Sequence, residues 1–151
     1  MNAAIDRSKG PYPMAKIGGW GSFLNLSKAK FSSCSDVAKM YIDCRAWDRA
    51  DKELDSLKNL LWSPNPVNRP EYSTLHHLRG LLSFGRHDYK EAIKELVKST
   101  EIDPANFEVR YELAKAYEMS GQKKKAMDIF KQIAAYSDSE ARYQRLLKEP
   151  K

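Results

Sequence analysis

An internal repeat limits the folds open to this chain more than any other feature. Shifted by 34 residues from Gly80, the sequence overlays on itself: Gly80 falls on Ala114, Ala92 on Ala126, Ile93 on Met127 and Leu96 on Phe130. Each pair is small on small or apolar on apolar, as two helices in close contact require. A small residue on the first helix admits the second helix, whose own small residue is Ala92 or Ala126. A shift of 42 brings Val37–Leu57 onto residues 79–99, with Ala38 on Gly80, Trp47 on Tyr89, Ala50 on Ala92 and Leu54 on Leu96. The extra length is placed in a Pro/Asn-rich loop after Trp62. Three helix–turn–helix units follow.

Apolar residues recur at intervals of three and four through Val37, Tyr41, Ile42, through Leu54, Leu57, Leu60, Leu61 and through Met127, Phe130, Ile133. Caps are read at Ser35 with Asp36, at Asp88, and at Ser137 to Ser139. No segment requires a strand, so the body is expected to be all-α. Residues 1–32 differ in kind. Gly10, Pro11, Pro13, Gly18, Gly19 and Gly21 interrupt any helical run. The segment carries Arg7, Lys9, Lys16, Lys28 and Lys30 against Asp6, so most of the net charge of +6 lies there and the body is nearly balanced. It reads as an extended arm.

The middle unit, Gly80, Asp88-Tyr89-Lys90-Glu91-Ala92-Ile93, Leu96 and Ile102-Asp103-Pro104, resembles the tetratricopeptide repeat. So does the next, with Leu113-Ala114, Tyr117, Gly121, Ala126 and Phe130. The resemblance covers about residues 33–140 and implies a short tetratricopeptide-like array of three helical hairpins: units at about 33–62, 73–106 and 107–138, a capping helix at 139–148, and the extended N-terminal arm at 1–32. Arg79 stands where the family usually has leucine, Ser83 where it has an aromatic, His87 where it has glycine, Lys123 where it has an aromatic, and Asp138 where it has a closing proline. Leu75, Leu78 and Leu82 are then the expected buried stripe of the middle unit's first helix. In the cap, Tyr143, Leu146 and Leu147 are expected inward and Arg142, Arg145 and Lys148 in water.

The same resemblance places a partner-binding groove on the first helices of the units. Carried over by register, it is lined by Ser35, Lys39 and Ile42, by His77, Leu81 and Phe84, and by Glu108, Tyr111, Lys115 and Glu118. One subset of the family grips the C-terminal carboxylate of heat-shock chaperones through lysines and asparagines. Here the matching places hold Ser35 and Lys39, His77 and Leu81, and Tyr111 and Lys115, so that role is not expected.

Catalysis is not expected either. His76 and His77 are adjacent on a helix and point about 100° apart, so they make no ligand pair. Glu91 and Glu95 read as a solvated face. Gly18-Gly19-Trp20-Gly21 lacks the strand, helix and Lys-Ser/Thr of a phosphate cradle. No cofactor or metal is called for. The expected function is a non-catalytic protein-interaction scaffold, an accessory subunit of a larger assembly anchored by Tyr12, Lys16, Trp20, Phe23 and Phe31 of the arm. The alternatives are RNA or ribosome association through the basic, aromatic arm, and a co-chaperone or transport adaptor that uses the groove alone. No membrane span, secretory signal or homo-oligomer is expected. With only Cys34 and Cys44, a reducing compartment fits, in the cytoplasm or on the mitochondrial matrix side.

Overall fold

The computed structural model describes residues 19–61 and 70–148, with side chains from Ala29 onward. Seven α-helices and no strand occur among the described residues: α1 (Gly19–Asp43), α2 (Trp47–Leu60), α3 (Pro70–Gly85), α4 (Tyr89–Ile102), α5 (Phe107–Met119), α6 (Lys123–Gln132) and α7 (Ser139–Lys148). Helices pair in sequence as α1 with α2, α3 with α4 and α5 with α6, and α7 lies on α6. The loop expected after Trp62 lies outside the described residues.

The small residues of the repeat sit where the helices of each pair meet. Ala38, Ala50, Ala92, Ala114 and Ala126 are all fully buried. At Gly80 an added Cβ would lie 2.6 Å from Leu96 Cγ, so α3 and α4 approach too closely for a methyl group there. At Gly85 it would lie 2.5 Å from the Trp47 ring, which packs α2 against the end of α3. Leu75, Leu78 and Leu82 form the buried stripe of α3, in one cluster with Ala38, Leu54 and Leu57. Near the far ends of α3 and α4, Ser73 and Ser99 interlock: Ser99 Oγ donates to the Ser73 carbonyl at 2.8 Å, and Ser73 Oγ lies 3.1 Å from the Ser99 carbonyl. Both are buried.

The three turns inside the helix pairs share one construction. Arg45, His87 and Gly121 have φ of 57°, 64° and 81°. In each turn the next residue's N–H reaches back to a carbonyl five residues earlier: Ala46 to Tyr41, Asp88 to Ser83 and Gln122 to Tyr117. The left-handed residue bonds three back, to Ile42, Phe84 and Glu118. This double closure is the Schellman motif, which favours glycine at its left-handed position. The position of His87, where the tetratricopeptide pattern has glycine, is thus left-handed. Asp88 then caps α4, its carboxylate accepting from Glu91 N–H at 3.2 Å, and Asn106 caps α5 through Val109 N–H.

Several expectations require correction. Residues 19–32 are not an extended arm: they are helical and continuous with the rest of α1. Phe31, expected as an arm contact, is buried in the first core cluster. Once packing fixes the stretch from Phe31 to Ile42, each further residue adds a helical hydrogen bond, and Ser22–Lys30 contains neither Gly nor Pro to stop it. Ser35 is no cap but a mid-helix residue whose Oγ donates to the Ser32 carbonyl at 2.7 Å. In α7, Leu147 is exposed, whereas Arg142 turns inward to Glu118. Tyr12 and Lys16 lie outside the described residues, as do the side chains of Trp20 and Phe23.

Candidate functional site

The face of α1, α3 and α5 carries most of the residues expected in the groove. Lys39 on α1 pairs with Glu108 on α5 at 3.5 Å, each side chain half exposed. The pair crosses α3. His77 on α3 is 9% exposed, and its Nε2 has no hydrogen-bond partner. Burial holds the His77 imidazole below the ordinary histidine value; Glu108 opposes that shift and Lys39 adds to it. His77 is thus buried within electrostatic reach of both charges.

Further along, Leu81 is half-buried against the first core cluster and Phe84 against the second. Phe84 meets Tyr89 edge-on, with centroids 5.5 Å apart. Lys115 Nζ lies 5.4 Å from both the Phe84 and the Tyr111 ring centres, a position that favours a cation. Its nearest carboxylate is Glu112 at 3.2 Å. Leu81, Phe84, Tyr111 and Lys115 therefore form one partly open apolar surface with a cation on it.

The C-terminal helix borders this surface. Tyr111 donates its hydroxyl to Asp138, and Arg142 lies over the Tyr111 ring at 5.7 Å. Arg142 also reaches Glu118 and Asp138, both at 3.0 Å, and Arg145 pairs with Glu118 as well. The hydrogen bond from Tyr111, with the charge of Arg142, holds the Asp138 carboxyl below its usual range against the opposing effect of burial. Glu118, expected on the open groove, is instead the anchor of α7. Ile42 also leaves the groove set: it is 8% exposed and packs in the core with Phe31 and Ala38.

Two polar features escaped the sequence reading. Glu95 is not solvated but buried, hydrogen-bonded to His76 Nδ1 and Lys98, each at 2.8 Å. Burial pushes its carboxyl up, but the bonds to His76 and Lys98 outweigh that and leave it below the usual range. Arg79 and Ser83 line a pocket of about 250 Å³ between α2, α3 and α4. Of its charges, Arg79 pairs with Asp55 and Arg86 with Asp51. Of the Glu95 partners, Lys98 at i+3 was legible in the sequence, whereas His76 comes from another helix.

Residues 83–149 match the family model of the tetratricopeptide repeat, from the last turn of α3 past the end of α7. That stretch is a tetratricopeptide repeat segment. The same helix pairing and turn geometry recur upstream in α1 and α2, where Ala38 and Ala50 are buried and Arg45 is left-handed. No curated protein matches the chain. Tetratricopeptide repeats generally mediate protein–protein interaction and typically are not enzymes. Among the described residues no group of three His, Cys, Asp or Glu side chains is placed to hold a metal ion, and no helix is long and apolar enough to cross a membrane.

Proposed function

We propose that the chain is a non-catalytic interaction scaffold and an accessory subunit of a larger assembly, which it joins by docking a partner segment on the α1–α3–α5 face. The observation that carries this reading is the surface of Leu81, Phe84 and Tyr111 with Lys115 across two of the rings. Contiguous apolar surface rimmed by polar groups marks partner sites, and aromatic side chains are common anchors in them. A second contact is assigned to the N-terminal part of α1 and the residues before it. At 25 residues, α1 is about 37 Å long at 1.5 Å per residue and outruns the 14 residues of α2, so its start extends past the hairpin. A reducing compartment, the cytoplasm or the mitochondrial matrix side, suits the two free thiols, Cys34 and Cys44.

The test is purification of the tagged full-length chain from its native source at moderate salt, with and without ribonuclease. Protein partners should persist after ribonuclease and be lost from Lys115→Glu. Removing residues 1–18 should weaken them without unfolding the helical body, whereas removing residues 1–32 would also delete Phe31 from the core. Recovery of a lone monomer would overturn the reading. Loss on ribonuclease, with affinity falling steeply with salt, would replace it with RNA association.

A further inference from the structure

At about 100° per residue, Arg79, Ser83 and Arg86 share one stripe of α3, turned away from His77, Leu81 and Phe84. The stripe faces the pocket of about 250 Å³ between α2, α3 and α4, whose apolar lining is Leu54 and Leu82, both buried. Ser83 leaves open a space that the aromatic of the tetratricopeptide pattern would fill, and Arg79, in place of leucine, turns to Asp55. Four carboxylates line the pocket against two guanidiniums. Asp55 and Asp51 of α2 take Arg79 and Arg86, which leaves the α4 wall negative. On that wall Glu91 is half exposed and bonded to Lys94, and Glu95 is buried. Each Glu95 oxygen holds one partner, His76 or Lys98, and these bonds keep the carboxyl ionised. A carboxylate has about four acceptor positions, so about half of those on Glu95 are unused.

The lining selects among ligands. An anion would meet four carboxylates. A free polyamine would set its second ammonium against Arg79 or Arg86. A guanidinium fork needs both oxygens of one carboxylate, and both oxygens of Glu91 and of Glu95 already hold a donor. An ammonium needs a single acceptor position and, on lysine, arrives on an aliphatic stem that suits Leu54 and Leu82.

We propose that this pocket receives a lysine side chain of a partner protein, its ammonium against Glu95 and Glu91 and its stem along Leu54 and Leu82. The site does not depend on the groove. A partner held here and a segment held on the α1–α3–α5 face occupy opposite sides of α3.

The ¹⁵N-labelled full-length chain is titrated with hexalysine, hexaarginine, hexaglutamine and spermidine while the amide signals of Ser83 and Glu95 are followed. The chain's own net charge of +6 repels polycations, so movement of these two signals reports a local site. Hexalysine should move them most. Ser83→Tyr, which fills the pocket, should abolish the response, and Glu91→Gln should weaken it about threefold, the scale of one exposed ion pair. Glu91 is half exposed, so its variant should fold even where the tyrosine is not accommodated, and circular dichroism checks both. Lys115→Glu should leave the hexalysine response unchanged, which separates failure of this site from failure of the groove reading. The inference is overturned if hexaarginine, hexaglutamine or spermidine moves the two signals as strongly as hexalysine, or if Glu91→Gln or a folded Ser83→Tyr binds hexalysine as the parent does.

Discussion

Gly80 lies directly against the Leu96 side chain where α3 meets α4: a Cβ on Gly80 would stand 2.6 Å from Leu96 Cγ. Gly80→Ala should gain helix propensity of up to about 1 kcal/mol and lose more than that to overpacking, a net destabilisation of about 1–2 kcal/mol. The double variant Gly80→Ala/Leu96→Ala should be less destabilised than the sum of its singles, because the smaller side chain relieves the clash. Urea unfolding of the four proteins measures this. Additive effects would mean that the contact does not govern the α3–α4 distance.

The left-handed turns make an opposite forecast. Arg45 at φ 57° occupies the position that holds Gly121 two turns later. Arg45→Gly should stabilise by about 0.5–1 kcal/mol, and Gly121→Ala should destabilise by about 1 kcal/mol. Thermal unfolding should move up in the first variant and down in the second.

Ser73 and Ser99 are a buried polar lock in an apolar interface. Ser99→Ala leaves the Ser73 carbonyl without the Ser99 hydroxyl and should cost about 1–3 kcal/mol. Ser99→Val should cost more, since its second methyl group enters a site with no room. Hydrogen exchange should locate the loss at the N-terminal end of α3 and the C-terminal end of α4.

Acid should destabilise the fold in two successive windows. Burial lowers the folded-state pKa of His77 below 6.5, so the unfolded chain takes up a proton that the folded chain refuses. That contribution to stability is full above 6.5 and declines as pH falls from 6.5 to the folded value. Glu95, lowered below 4.5 through His76 and Lys98 against the opposing effect of burial, contributes above 4.5 and is lost as pH falls through its folded value. His77→Leu should flatten the first window and Glu95→Gln the second, read from urea midpoints measured from neutral pH to well below 4.5.

Much of the architecture was legible because its signals are local. The small residues Ala38, Gly80 and Ala114 recur at a fixed distance from Ala50, Ala92 and Ala126, since every hairpin closes through the same tight turn. The site was less legible. Lys39 pairs with Glu108 and Lys115 lies over the Phe84 and Tyr111 rings, whereas Ile42 packs in the core. A rotation of less than one residue's 100° carries a side chain from groove to core, and spacing cannot resolve that. Glu118 looked equally free until α7 brought Arg142 and Arg145 to it.

What the sequence determined alone is the repeat: helix type, pairing, turn positions and the small residues that let the pairs close. These depend on contacts within a few turns of chain. The tertiary structure decided what depends on packing between distant segments. Phe31 turned an expected arm into the first core helix, because helical order propagates outward from a buried anchor. Glu95 became a buried acid because His76 and Lys98 satisfy it. The ion pair of Lys39 with Glu108 exists only because the fold brings α1 and α5 within reach of each other, and no local pattern encodes a pair 69 residues apart.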